Sequence, residues 1–164
     1  MKKETGSNKK PPNFSPDEDY YICKAYVNTS HNAVTGSDQR ATIFWSAVCK
    51  AFIQIFEEEA EVIPDDLESY RTSDSIMNRF QRNIQKDMNY FNQHYKYHKS
   101  KNPSGWTPDM YIEAAENSFL EKEGRPFRFG KCIPTLHKMP KFQPMFKEPA
   151  IELDEKTGES YNNV

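Results

Sequence analysis

Glycine is scarce in this chain, with six in 164 residues and none clustered into a run. A backbone loop that cradles phosphates needs such a run, so G-x-x-x-x-G-K-[ST] is absent, and no G-x-S-x-G nucleophile elbow occurs either. Cysteine is equally sparse. Cys23, Cys49 and Cys132 form an odd set with no tight spacing, which excludes a C-x-x-C anchor and fits buried thiols in a reducing compartment. No apolar run approaches the ~18 residues of a membrane span, and the Met1-Lys-Lys-Glu start has no apolar core behind it. A soluble protein without a secretory signal or membrane association is expected. Hydrophobic residues make up 36%, below the typical ~45–50%, so part of the chain is expected to be tail or loop. With no enzyme signature present, no catalytic residue, cofactor or small-molecule ligand is expected.

Metal binding fares no better. His94 and His98 stand four apart, and Cys132 and His137 lie in a later segment. A zinc site would need all four to converge, the later pair sits in a Pro-broken stretch, and His94-Tyr-Lys-Tyr-His98 lacks the Glu of a zinc protease helix. No metal site is expected.

What is present is aromatic content of 13%, enough for a packed core, and a segmented charge. The net charge of −2 conceals the segments. Residues 71–101 hold seven Lys and Arg against two Asp and Glu, and residues 121–147 hold seven against two. Residues 57–70 hold seven acids and no base, and residues 148–164 five acids against one base. Residues 1–13 are basic and polar, with four lysines against one glutamate. Two basic segments are thus flanked by acidic ones.

The helix signals are local and repeated. Phe14-Ser-Pro-Asp-Glu-Asp offers Ser15 as N-cap, Pro16 at the first helical position, and Glu18 to close a capping box, with Ile22, Ala25 and Tyr26 inward. After a Gly-containing loop, Ser37 or Asp38 is expected to cap a second helix over about 39–56. Its inner face carries Ala41, Trp45, Val48, Cys49, Phe52 and Phe56. Residues 57–71, with an acid run and Pro64, read as a fraying end and an exposed loop. Thr107-Pro108-Asp109 starts a further helix with Met110, Ala114, Ala115 and Phe119 inward and Gly124 at its end. A short helix from about Pro134 to Met139 closes the fold. Disordered tails are expected over 1–13 and 143–164, around one domain over 14–142.

Between the second helix and Thr107 lies the longest uninterrupted helical pattern, residues 71–101, free of Pro and Gly and capped by Thr72 or Ser73. At 100° per residue, Ile76, Met77, Phe80, Ile84, Met88, Phe91 and Tyr95 share one face. Ser75, Asn78, Arg79, Arg82, Gln85, Lys86 and Asn89 occupy the other. Those side chains reach phosphates and base edges. Arg82, opposite the apolar stripe, is the first candidate for a base contact, and Asn78 and Gln85 are candidates for adenine. Arg71, Lys96 and Lys99 are expected to meet phosphates. Asp87 projects near the stripe and needs a partner within the fold.

Three successive helices, each with a bulky aromatic (Phe14, Trp45, Phe80), resemble a Myb/SANT-type helix-turn-helix domain. The resemblance is closer to the trihelix Myb-like proteins of plants and of Harbinger-type transposons. Asn28-Thr29-Ser30, Gly36-Ser37-Asp38-Gln39 and the R-F-x-x-I-x-x-D-M-x-x-F pattern from Arg79 to Phe91 stand where that family has them. Phe127, Phe129, Cys132, Leu136, Pro140, Lys141 and Phe142 match its closing segment. The chain departs from the pattern with Phe at 14 and 80 in place of Trp, Ile133 in place of an aromatic, and Pro134 where the family continues a helix.

The resemblance implies an all-α three-helix Myb/SANT-like bundle with a long third helix, an added fourth helix and a short closing segment. It further implies sequence-specific binding of double-stranded DNA through the third helix, nuclear residence, and either transcription regulation or recruitment of a transposase or chromatin partner. Arg71, Ser75, Asn78, Arg79, Arg82, Gln85, Lys86 and Asn89 are the expected DNA-contacting set. The competing class is a SANT-like protein-interaction module for a histone tail or complex subunit. A domesticated remnant that binds nothing specifically is a third.

Overall fold

A computed structural model describes residues 11–32 and 40–145, and all regular structure among them is helical. The tail expectations for 1–10 and 146–164, and the Ser37 or Asp38 cap, lie outside the described residues. The chain divides into two compact units, residues 1–85 and 86–164.

In the first unit, α1 spans Pro16–Asn32 and α2 Ala41–Glu59. The α1 start is the expected capping box. The Glu18 N–H donates to Ser15 Oγ at 3.1 Å, and the Ser15 N–H donates to Glu18 Oε1 at 3.3 Å. α2 runs beyond its expected end, so the acids Glu57, Glu58 and Glu59 are helical. Glu59 pairs with Lys24 of α1, and Gln54 donates to Glu58 one turn away at 3.1 Å. Ala41, expected inward, is exposed in the first turn of α2. The acidic loop holds one short helix, α3 (Leu67–Tyr70), pinned by buried Leu67. α4 (Ser73–Arg79) follows, capped by Thr72, whose Oγ1 accepts from the Ser75 N–H at 3.2 Å.

Phe80–Gln85 is π-helical. The spacing of the buried residues supplies a reason. Ile76, Phe80 and Ile84 are all fully buried at successive steps of four. In an α-helix of 3.6 residues per turn each such step overshoots by about 40°, so two steps drift by about 80°. A wider turn absorbs that drift and keeps the large side chains inward. Met77, expected on the stripe, is only half-buried.

The core of this unit is aromatic. Tyr26 stacks on Phe80 at 4.1 Å between ring centroids, and Trp45 lies 5.6 Å from Tyr26 and 5.8 Å from Phe80. Ile22, Ala25, Val48, Phe52 and Ile76 fill the space beside them without exposure.

In the second unit, α5 (Lys86–Ser100) packs on α6 (Pro108–Glu123). α6 begins and ends on the expected signals. Thr107 caps it, Pro108 occupies its first turn, and Gly124 closes it in the left-handed region at φ 72°. Met110, expected inward, is exposed, and its sulfur faces the Thr107 N–H at 3.5 Å while Tyr111 takes the buried position. The closing segment is shorter in its regular pieces than expected: a 3-10 turn Gly130–Cys132, α7 (Ile133–Leu136) and a 3-10 turn Pro140–Met145. Phe91 stacks on Phe127 at 4.5 Å, and Tyr95, Phe119, Leu136 and Phe142 are buried.

Candidate nucleic-acid interface

The arginines around the third helix do different work. Arg71 is 2% exposed. Its Nε donates to Glu18 Oε2 at 2.6 Å and its Nη2 to Glu18 Oε1 at 3.1 Å and to the Pro12 carbonyl at 3.0 Å. The guanidinium also lies 4.0 Å from the Phe14 ring centroid. Arg79 grips Asp19 with two bonds of 2.7 and 2.8 Å and lies 5.5 Å from the same ring. Phe14 is therefore half-buried beneath two cations rather than inserted beside Trp45 and Phe80.

The expected contact of Arg71 with a phosphate is corrected on this geometry: a guanidinium sealed by a carboxylate, a carbonyl and a ring has no open donor face. Arg79 is likewise an ion-pair member, with its Nε and Nη2 engaged by the Asp19 carboxylate. Burial pushes the Asp19 carboxyl above the usual carboxylate range, and the bonds and charge of Arg79 oppose that shift without cancelling it.

Arg82 is different. It is exposed, and it makes no hydrogen bond or ion pair among the described residues. Gln81 and Asn83, which the ideal α periodicity left off the outward face, are exposed on either side of it. Asn78 and Gln85 are half-buried at the same helix, and Ser75 is held by the cap of α4, its hydroxyl donating to the Thr72 carbonyl at 2.8 Å. In the second unit Lys86 and Asn89 are exposed on α5. Of the expected set, Asn78, Arg82 and Gln85 stand over residues 78–85 of the first unit with Gln81 and Asn83, Lys86 and Asn89 stand on α5, Arg71 is buried, and Arg79 is half-buried and held by Asp19. Gln81 and Asn83 lie within the π-helical turn Phe80–Gln85.

Asp87 finds its partner in the second unit. Arg125 meets it with two bonds, 2.7 Å from Nη1 to Oδ2 and 2.8 Å from Nη2 to Oδ1. Hydrogen bonding to that carboxylate raises the Arg125 pKa. Of the further expected phosphate contacts, Lys96 is exposed and the Lys99 ammonium lies 4.7 Å from the Tyr111 ring.

His98 Nε2 and Ser118 Oγ are 2.6 Å apart, and His94 meets the edge of Phe119. Cys132 is buried and His137 exposed, and no group of three His, Cys, Asp or Glu placed to hold a metal occurs among the described residues. No described helix is long and apolar enough to cross a membrane.

No protein-family model, curated protein or solved structure matches the chain.

Proposed function

We propose that this chain binds double-stranded DNA, with the outward side of residues 78–85 entering the major groove and Arg82 as its base-reading centre. The observation that carries the reading is the exposed trio Gln81, Arg82 and Asn83, displayed on a turn whose inner residues Phe80 and Ile84 are fully buried. A guanidinium matches guanine O6 and N7, and carboxamides match adenine N6 and N7. Phe80–Gln85 is π-helical, and π-helical turns recur at functional sites. Lys86 and Asn89 on α5 are further contacts, and Lys96 and Lys99 meet phosphates. The aromatic cluster of Tyr26, Trp45 and Phe80 supports a Myb/SANT-like arrangement of the first unit. On the same resemblance the protein acts in the nucleus as a transcription regulator, or as a transposon-derived targeting factor that brings a transposase or chromatin protein to DNA.

A second reading draws on the acidic loop. Val62 is 80% exposed and Ile63 43%, and a groove lined by Ile63, Pro64 and Leu67 is rimmed by Glu57, Asp65, Asp66 and Glu68. An apolar strip among carboxylates suits a basic protein segment, as a SANT-like interaction module would require. Selection of the full chain against a random duplex library, followed by sequencing, separates the two. Enrichment of a defined motif is expected; a library that stays random, with tight capture of basic peptides, favours the interaction module.

A further inference from the structure

Residues 125–142 hold five Lys and Arg and not one Asp or Glu. Exposure alternates along them. Phe127, Phe129, Cys132, Ile133, Leu136, Met139 and Phe142 are buried, while Arg128, Lys131, His137, Lys138 and Lys141 are exposed. The segment is a strap: its apolar side chains are buried in the second unit, and Arg128 and Lys138 are exposed on its outer side. Arg125 is engaged by Asp87, but Arg128 and Lys138 make no hydrogen bond or ion pair among the described residues.

From this we infer that the outer side of the strap is a second nucleic-acid surface, independent of sequence, that sits on the phosphate backbone of a duplex. The inference rests on the duplex-binding reading above and assigns the closing segment a role of its own. The chemistry is that of positioning rather than reading. Lysine ammonium groups and a single guanidinium without carboxamide neighbours offer charge without a base-edge pattern. Proline at 134 and 140 limits the regular helix in the segment, so its cations lie along a bent path over the unit rather than on one helix face. Cations anchored by buried neighbours cost less ordering on binding than those of an unanchored basic tail.

The test compares the full chain with the double variant Arg128→Gln, Lys138→Gln. Binding is measured by fluorescence anisotropy to a selected and to a scrambled duplex between about 50 and 200 mM salt. Affinity for both duplexes is expected to fall by the same factor, roughly tenfold for each phosphate left without its cation, with a log–log salt slope shallower by about 0.9 per phosphate. The charge-preserving variant Arg128→Lys, Lys138→Arg is expected to bind as the wild type does, and an unchanged thermal midpoint shows that the fold is intact. Wild-type affinity and slope in the double variant would overturn the inference. So would a lost preference between the duplexes at unchanged slope, because the strap would then read sequence. A wild type that binds both duplexes equally overturns only the reading assigned to Arg82, and one that binds neither overturns both.

Discussion

Arg71, Arg79 and Arg82 carry the same group within twelve positions of sequence, and their surroundings assign them opposite tasks. Arg71 joins α1 to the start of the third helix through Glu18, a residue 53 positions away that also closes the capping box. Removing one member of a buried pair strands the other charge, so Arg71→Ala is expected to cost about 3–5 kcal/mol in urea denaturation. Replacing both partners, Arg71→Met with Glu18→Leu, is expected to recover most of that loss. A loss below ~1 kcal/mol in Arg71→Ala, the range of surface pairs, would show that the pair is open to water. The capping role of Glu18 is written in four adjacent residues and was legible. Its pairing with Arg71, and that of Asp19 with Arg79 and Asp87 with Arg125, was not, because a set of charges says which can pair and nothing about which do. An outward-facing arginine at helical spacing therefore looks the same in sequence whether it meets DNA or its own carboxylate.

Elements were more legible than residues. The Ser15 and Thr107 starts, the Gly124 stop and most of the inward stripes of α1, α2 and the third helix (Ala41 and Met77 excepted) follow from local chemistry, and the structure has them. The π turn escaped because a stripe at steps of four is compatible with an α-helix until its drift is summed against burial. The extension of α2 through Glu59 escaped because three consecutive glutamates look like a solvated loop, whereas Lys24 and Gln54 hold two of them. The α5–α6 packing has a pH dependence of its own. Burial, followed by the Lys122 charge, lowers the His94 pKa, with Glu123 opposing and His98 adding to the shift. A depressed folded pKa means that the unfolded chain takes up the proton first. The stabilisation is therefore full above the ordinary histidine value of about 6.5 and is lost as pH falls through the lower folded value. Thermal midpoints measured from pH 8 down to about 5 are expected to drop less in His94→Gln than in the wild type. Parallel curves would remove His94 from the balance.

Across the whole molecule, charge is sorted rather than added. The near-neutral total hides an acidic loop, a strap without a carboxylate, and a segment, residues 71–101, whose seven Lys and Arg include two engaged by α1. Segment totals therefore overstate the field that a partner meets at the third helix, and they place the emphasis on Arg82 with its carboxamide neighbours. The most direct test is the affinity of Arg82→Ala for the duplex selected by the wild type, read beside its thermal midpoint. Binding is expected to weaken by about 1–3 kcal/mol, roughly five- to 150-fold, with relaxed preference at one base position and an unchanged midpoint. Wild-type affinity and preference in Arg82→Ala would contradict recognition through this face.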